Sequence, residues 1–180
     1  SPPEEFALGL LSGRMYKKNN LGNLRIFHQI KKKSPQSMLK LVLVGGTINT
    51  NQEIKKYILA HSLQNDVVFI ESLKKNEDVL YFYHLSKYFL FLSLEEGFGL
   101  PPLEALCCDT FPVVSNTSAL GEIYSDYLPT FDPTQEEEIS DYITNLTPEK
   151  RTKYIRSAKN ALQSKYSWSA VLPLYLKEIL

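Results

Sequence analysis

The segment Tyr88–Leu106 reads YFLFLSLEEGFGLPPLEAL and combines a strand pattern with the start of a helix. Its first residues, through Leu92, are continuously apolar, as in strands that are covered on both faces. Gly97 and Gly99 then permit backbone conformations that suit a tight loop. Two prolines follow, and proline suits the first turn of a helix because its missing N–H costs no hydrogen bond there. The segment therefore predicts a strand, a glycine-containing loop and a helix that opens near Pro101-Pro102.

The same strand pattern recurs along the chain, and helical patterns lie between its occurrences. Apolar residues spaced three and four apart predict helices near 21–30, 54–61, 79–83 and 139–146. Alternation of strand and helix predicts βαβ units with right-handed crossovers. We therefore expect an α/β domain, a Rossmann-like doubly wound parallel sheet of about six strands with helices on both faces. The other expected strands are Phe6–Leu11, Leu39–Val44, Val67–Ile70, Phe111–Val114 and, more weakly, Leu128–Phe131.

Capping residues predict where helices begin. A threonine followed three residues later by a glutamate has the spacing of a capping box. Thr147 before Pro148 is typical of an N-cap followed by the first helical residue, and a last helix is expected from about Trp168. The two expected capping boxes are Thr50/Glu53 and Thr134/Glu137.

Length and composition predict one ordinary domain. The chain has 180 residues, of which 43% are hydrophobic and 22% are charged, so it is long enough to bury a core without metal or disulfide. No apolar run is long enough for a membrane span, and the SPPEEF opening is unlike a signal peptide. Cys107 and Cys108 are adjacent and lack zinc-site spacing, so we interpret them as small core residues in a reducing cytoplasm.

The net charge is zero, but the charges are unevenly distributed. No acidic residue lies between Phe6 and Gln52, a segment with eight basic residues. Such a segment is expected to form a positive lobe that contacts a phosphate, an anionic membrane or an acidic partner, although a solvated helix face explains Lys31–Lys33 equally well. The eight are Arg14, Lys17, Lys18, Arg25, Lys31, Lys32, Lys33 and Lys40.

Two carboxylates flank the glycine loop. Ligands of doubly wound sheets bind at the carboxyl ends of the strands, which is where Glu96 begins the loop after the fourth strand. Glu104 is expected in the first turn of the following helix, with its side chain directed back toward the same loop. Backbone near Gly97 and Gly99 can approach a ligand closely, and a helix start favours an anion. A phosphate with hydroxyl-rich groups on either side fits this combination.

EGFGLPPLE, from Glu96 to Glu104, resembles the E-x7-E signature of retaining, nucleotide-sugar-dependent glycosyltransferases of the GT-B fold, in particular family four. The flanking pieces are also family-like and cover essentially the whole chain. The resemblance implies the C-terminal, donor-binding domain of such an enzyme, without the N-terminal domain that holds the acceptor. The flanking pieces are SGR at 12–14, LVLVGG at 41–46, VVFIES at 67–72, FPVVSN at 111–116 and YSW at 166–168.

The resemblance also implies a role for each matching residue. Glu104 would bind the ribose hydroxyls, and Glu96 would hold hydroxyls of the donor sugar. Backbone around Phe98, Gly99 and Leu100 would approach the sugar and the diphosphate. Leu73, with Ser72 beside it, would lie near the base.

Arg14 is the expected partner of the diphosphate. The resemblance implies this role, and a basic residue at a strand's carboxyl end is also a natural phosphate ligand. Relatives have a lysine five or six residues farther along, where this chain has Asn19 and Asn20. We expect Lys18 to replace it, which leaves Lys17 as the other candidate, unless the second cation is missing.

The implied reaction transfers a hexose or N-acetylhexosamine from a nucleotide-diphosphate sugar with retention. Cations and a helix N-terminus would stabilise the leaving diphosphate, so no metal or other cofactor is expected, and a UDP-sugar is favoured over a GDP-sugar. The acceptor, a glycan or lipid-linked sugar, would bind mainly to the missing domain, so the isolated chain should be inactive. We expect a cytoplasmic protein, with peripheral contact to an anionic membrane and no nucleic-acid partner.

Three other classes compete with this interpretation. A glycoside hydrolase could use Glu96 and Glu104 as acid and nucleophile, but it would leave Arg14 and the glycine loop without a phosphate. A non-catalytic nucleotide-sugar-binding module fits the same residues. A dinucleotide oxidoreductase is disfavoured, because SGRMYK at 12–17 lacks the G-x-G-x-x-G fingerprint.

Overall fold

A computed structural model describes residues 5–10, 17–45, 51–73 and 76–166. Six parallel strands form one sheet in the order β3-β2-β1-β4-β5-β6, which confirms the doubly wound topology expected from the sequence. The switch point, where chain order reverses, lies between β1 and β4, and ligands of such sheets bind beside it. The strands are β1 (Phe6–Leu10), β2 (Lys40–Val44), β3 (Val67–Ile70), β4 (Tyr88–Phe91), β5 (Phe111–Ser115) and β6 (Thr130–Phe131).

Seven helices cover both faces of the sheet in the described part of the chain. α1 packs against α2 and α6, whereas α4 packs against α3, α7 and β5. Right-handed crossovers on the two sides of the switch point produce this division. The helices are α1 (Asn20–Lys33), α2 (Gln52–Ala60), α3 (Asn76–Leu85), α4 (Leu100–Cys107), α5 (Ser118–Tyr124), α6 (Glu136–Asn145) and α7 (Pro148–Tyr166).

The central strands β4 and β5 are entirely buried, which explains their continuously apolar sequences. Phe89 at the centre of β4 packs against Phe91 and against the edge of the Tyr83 ring. Burial on both faces holds these strands in place, and their carboxyl ends carry the loops that form the candidate site. The sheet therefore gives the site a rigid base.

One predicted helix start is confirmed, and two are wrong in detail. Thr147 accepts a hydrogen bond from the Lys150 N–H at the start of α7. The cap of α2 is Asn51 rather than Thr50, because the Asn51 side chain accepts from the Ile54 N–H. α6 starts after Gln135 without a side-chain cap. The hydroxyl and N–H of Thr134 donate instead to Asp132 in a local turn.

One helix was not predicted, one predicted helix lies outside the described residues, and the prediction for the cysteines is wrong in part. α5 was not expected from the sequence, and the helix expected from Trp168 lies outside the described residues. Cys107 is not a core residue because it is exposed, whereas Cys108 is half-buried and packs against the core; both are free thiols. They lie where α4 ends, so that one thiol projects toward solvent beside Gln163.

The acid-free segment does not form a positive lobe. Six of its eight basic residues make ion pairs with carboxylates that follow much later in the chain. Arg14 lies outside the described residues, and Lys32 alone has no carboxylate within ion-pair distance in the described ranges. The segment is therefore largely neutralised when the chain folds. The pairs are Lys17–Glu95, Lys18–Glu96, Arg25–Glu136, Lys31–Asp66, Lys33–Asp141 and Lys40–Asp66.

A cluster of three rings joins α1 to α2. His28 is 7% exposed, and its Nδ1 lies 2.9 Å from the Tyr57 hydroxyl. The His61 ring contacts both, with centroids 4.7 Å from His28 and 4.2 Å from Tyr57. Burial lowers the pKa of His28, and the charges of Lys32 and His61 lower it further. The folded state therefore favours neutral His28.

We predict that the free energy of unfolding falls as the pH drops below about 6.5, the ordinary pKa of histidine. In that range the unfolded chain binds a proton at His28 that the folded chain resists, so acid favours unfolding. Urea titrations at a series of pH values should show a weaker fall for His28→Gln. The control Leu59→Ala, an exposed position on α2, should keep the parental pH dependence, and an unchanged profile for His28→Gln would contradict the prediction.

No helix in the described ranges combines the length and the apolar character that a membrane span requires.

Candidate functional site

The loop after β4 brings Glu96 next to Lys18. The Lys18 ammonium donates to Glu96 Oε1, and it also lies 5.1 Å from the centroid of the Phe91 ring. The backbone supports this approach, because the Leu94 N–H donates to the Lys17 carbonyl at 2.8 Å. Lys18 and Glu96 therefore meet at the carboxyl edge of the sheet, beside the switch point.

The two lysines that the sequence left as alternatives differ in surroundings. The Lys18 and Glu96 side chains are 27% and 14% exposed, whereas the Lys17–Glu95 pair at 2.7 Å is 47% and 62% exposed. Charges in a less hydrated site interact more strongly, both with each other and with a ligand. Lys18 is thus the cation that the structure places inside the candidate site.

Hydroxyl groups of the β5–α5 connection hold the loop in place. Ser118 Oγ accepts from the Glu96 N–H at 3.0 Å and lies 3.2 Å from the Glu96 carbonyl, to which it donates. Ser115 Oγ and Thr117 Oγ1 both donate to the Ser93 carbonyl. Ser118 was not among the residues predicted from the sequence. The available signal was the run of small polar residues SNTS at 115–118, at a strand's carboxyl end.

Gly99 is the turning point between the loop and α4. Its φ is 76°, in the left-handed region, and a Cβ there would lie 2.2 Å from Leu120 Cδ2. Its carbonyl accepts a 2.7 Å hydrogen bond from the buried Tyr124 hydroxyl. Both the conformation and the close packing require glycine here. By contrast, a Cβ at Gly97 would meet no atom within 4 Å.

Glu104 lies just beyond the first turn of α4, whereas the sequence predicts it within that turn. The helix begins at Leu100, so Glu104 is its fifth residue and the first turn contains no acid. Pro101 and Pro102 occupy that first turn and have no N–H to offer an anion. Fewer backbone donors are therefore available than the sequence argument assumed. An anion at this edge would therefore depend more on cationic side chains.

Tyr83 of α3 is the partner of Glu104. Its hydroxyl donates to Glu104 Oε2 at 3.3 Å. Burial raises the pKa of Tyr83 far above its usual value, and the charge of Glu104 raises it further. Tyr83 therefore stays protonated as a donor. This bond orients one Glu104 oxygen, while the carboxylate as a whole remains exposed.

The other predicted ligand-binding residues lie at the same edge of the sheet, with different exposure. Phe98 and Leu100 are 39% and 55% exposed, which is unusual for large apolar side chains. The Phe98 ring meets the edge of Tyr166 at the end of α7, with centroids 5.3 Å apart. After β3, Ser72 is exposed and Leu73 is half-buried against the core. Arg14 lies outside the described residues.

A polar cavity of about 460 Å³ opens beside this edge, between the first turns of α1 and α2. The amide nitrogen of Asn20, which lines the cavity, is buried without a hydrogen-bond partner in the described part of the chain. An unpaired donor suits a ligand rich in oxygen. Asn19, Asn20, Leu21, Gly22, Arg25, Asn51, Glu53 and Leu94 line the cavity.

Within the described ranges, no group of three or more histidine, cysteine or acidic side chains is arranged to hold a metal ion.

The site and the fold define an α/β domain with a polar ligand loop at the switch point of its sheet. The model of the family "Glycosyl transferases group 1" matches residues 2–161, and the chain belongs to that family. Its sequence is 29% identical over 119 residues to the serotype-specific mannosyltransferase WbdA of Escherichia coli. It is 35% identical over 94 residues to O-antigen chain mannosyltransferase B of the same organism. These alignments cover 66% and 52% of this chain, but only 15% and 25% of the relatives.

Solved structures show the same architecture. The C-terminal domain of the group 1 glycosyl transferase LpcC from Francisella tularensis superposes with a TM-score of 0.73 at 19% identity. That match covers 90% of this chain and 85% of that domain. HepE from Anabaena, solved in complex with UDP and glucose, superposes with a TM-score of 0.75 at 18% identity, over 98% of this chain and 48% of HepE. The fold is therefore that of a GT-B glycosyltransferase domain.

We predict that Gly99→Ala and Gly97→Ala differ sharply in stability. Gly99→Ala forces a side chain into the left-handed region and against buried Leu120, so the free energy of unfolding should fall by about 1–3 kcal/mol. Gly97→Ala should change it by less than about 0.5 kcal/mol, because its Cβ meets open space. Urea unfolding of the two variants measures the difference. Equal stability would show that the Gly99 conformation is unimportant.

Proposed function

We propose that this chain is the nucleotide-sugar-binding domain of a retaining, metal-independent glycosyltransferase. The observation that carries the proposal is the Lys18–Glu96 contact at the switch point, within a loop that has the family's motif. We further propose that the transferred sugar is a hexose, with mannose as the first candidate. The sequence relatives WbdA and O-antigen chain mannosyltransferase B support that choice by their names.

The geometry supports distinct roles for the two carboxylates. Glu96 approaches Lys18, and the pair would face the donor sugar and its phosphates together. An ammonium group has three N–H donors, so Lys18 can hold Glu96 and still donate to a phosphate oxygen. Glu104, held by Tyr83, would present its other oxygen to the ribose hydroxyls. Leu73 and Ser72 would then border the base, with Phe98, Gly97 and Leu100 beside the sugar.

The chemical task is to stabilise a nucleoside diphosphate as it leaves the sugar. Negative charge accumulates on the phosphate oxygens while the glycosidic bond breaks. Lys18 and Arg14 would meet that charge, together with the positive end of α4. Because the prolines of α4 remove backbone donors, the side-chain cations would make the larger contribution. This is stabilisation by preorganised charge, and no step of it uses a metal ion.

The acceptor would bind mainly outside this chain. The chain aligns with only 14–30% of the length of its curated relatives, so a complete enzyme has room for a second domain. We propose that an N-terminal domain supplies the acceptor site for a glycan or a lipid-linked sugar. The enzyme would act in the cytoplasm, with peripheral contact to the membrane. The isolated chain would bind the donor weakly and transfer little or no sugar.

A non-catalytic binding module is the second candidate. The same residues at the carboxyl edge of the sheet could bind a nucleotide-sugar without catalysing its transfer. Fusion or co-expression with an upstream Rossmann domain from the same gene distinguishes the two candidates. Sugar transfer by the combined protein supports the enzyme. Its absence, with donor binding intact, supports the module.

We predict that the 180-residue chain binds a nucleoside diphosphate more tightly than the corresponding nucleoside, because Lys18, Arg14 and the start of α4 all act on phosphate. Calorimetry with UDP, GDP and ADP measures the preference, with UDP as the first nucleotide to test. A difference of about tenfold or more is expected, typical of hydrogen bonds to charged groups. Equal affinity for nucleoside and diphosphate would contradict the site, and hydrolysis of an aryl glycoside would favour a hydrolase instead.

We predict that Lys18→Ala weakens diphosphate binding by about tenfold, since it removes a charged donor from a poorly hydrated site. Lys17→Ala is the matched control, with the same change at the adjacent, more exposed residue, and should alter binding by less than about twofold. Both affinities follow from the same titrations. A larger effect at Lys17 than at Lys18 would contradict the proposal and would show that Lys17 is the lysine that contacts the phosphate.

A further inference from the structure

Helix α7 has a strong excess of basic residues. Between Pro148 and Tyr166 it contains six of them and a single acid, Glu149. The chain as a whole is neutral, so this helix departs from the rest of the molecule. The six are Lys150, Arg151, Lys153, Arg156, Lys159 and Lys165.

Most of these charges are not cancelled by carboxylates. Lys150 lies 5.8 Å and 5.9 Å from the ring centroids of Tyr142 and Tyr154, and Arg151 lies 5.6 Å from that of Tyr88. Aromatic rings orient cations without neutralising them. Among the described residues, the one ion pair on α7 joins Lys159 to Asp109 at 2.8 Å.

The outer face of α7 is polar along its length. Ile155, Ala158 and Leu162 form the buried side of the helix. Lys153 and Arg156 are exposed on the other side, without a carboxylate within ion-pair distance in the described ranges. A shallow open depression follows that side, lined by Pro148, Glu149, Thr152, Lys153, Arg156, Ser157 and Asn160.

The acid-free segment near the N-terminus shows the opposite behaviour. It contains eight bases and no acid, yet six of the eight are paired with carboxylates in the fold. Among the described residues, basic side chains without a carboxylate partner are therefore more frequent on α7 than in the acid-free segment. A partner attracted by charge would therefore contact α7, not α1.

We propose that the outer face of α7 binds the phosphate headgroups of an anionic membrane. Lysine and arginine near an anionic bilayer attract it additively, and hydroxyl and amide side chains can add hydrogen bonds to phosphate oxygens. The inference deepens the peripheral membrane contact of the proposed function and locates its surface. It does not depend on donor binding, which occurs at the carboxyl edge of the sheet.

The form of this surface favours a membrane over an acidic protein. Protein interfaces centre on large apolar or aromatic side chains that insert into pockets of the partner. None of the large apolar side chains exposed in the described ranges lies on α7. An open, polar, basic face without such an anchor is instead suited to electrostatic attraction by anionic headgroups.

The experiment is co-sedimentation of the 180-residue chain with phosphatidylcholine vesicles that contain or lack phosphatidylglycerol. We expect binding only to the anionic vesicles, and its loss at high salt. Lys153→Glu combined with Arg156→Glu should weaken that binding by at least about tenfold. The matched control, Lys32→Glu with Lys56→Glu, makes the same change in net charge at exposed positions on α1 and α2 and should weaken it less than about threefold.

Three results would overturn the proposal. These are no binding to anionic vesicles, equal loss in the two double variants, and displacement from the vesicles by millimolar inorganic phosphate, which would indicate a site for the free ion. Capture by poly-glutamate with no vesicle binding also contradicts it and favours an acidic protein. Far-ultraviolet circular dichroism confirms that each variant is folded. UDP and GDP titrations of the same variants test the donor site separately, because neither pair of substitutions touches it.

Discussion

The backbone of the β4–α4 loop is held from one side by the β5–α5 connection, and the candidate site depends on this constraint. Ser118 brackets the Glu96 peptide groups, and Tyr124 holds the Gly99 carbonyl from within the core. Ser115 and Thr117 fasten Ser93, where the loop begins. The loop thus has little freedom to move, although it carries glycines. A site of this kind can present charge and backbone to a ligand without first having to order them.

Electrostatics across this loop are balanced within the protein. The opposite charges of Lys18 and Glu96 form an ion pair whose side chains are largely shielded from solvent. The Tyr83 hydroxyl, which stays protonated, donates a hydrogen bond to Glu104. Each carboxylate is therefore stabilised by one contact and keeps acceptor capacity for another. A carboxylate with a free acceptor oxygen suits a ligand rich in hydroxyl groups. The two glutamates of the motif have different neighbours, Lys18 for Glu96 and Tyr83 for Glu104.

The doubly wound parallel sheet followed directly from the sequence, whereas the charge distribution did not. Continuous apolar runs revealed the strands, because burial on both faces leaves no room for polar residues. The predicted start of α2 was off by one residue. Asparagine is as good an N-cap residue as threonine, and Asn51 occupies that position. The partners of Lys31, Lys33 and Lys40 could not be predicted, since only the fold brings distant segments together. The site loop was predictable from its motif, but Ser118 and the role of Tyr83 required the structure.

The contact between Phe98 and Tyr166 makes α7 more than a covering helix. A helix of 19 residues is a stiff rod of about 28 Å. One end of this rod touches the ring beside the glycines. Its other end lies near the amino ends of the strands, where Arg151 donates to the Lys87 carbonyl. One continuous helix therefore contacts both the candidate loop at one edge of the sheet and the start of β4 at the opposite edge.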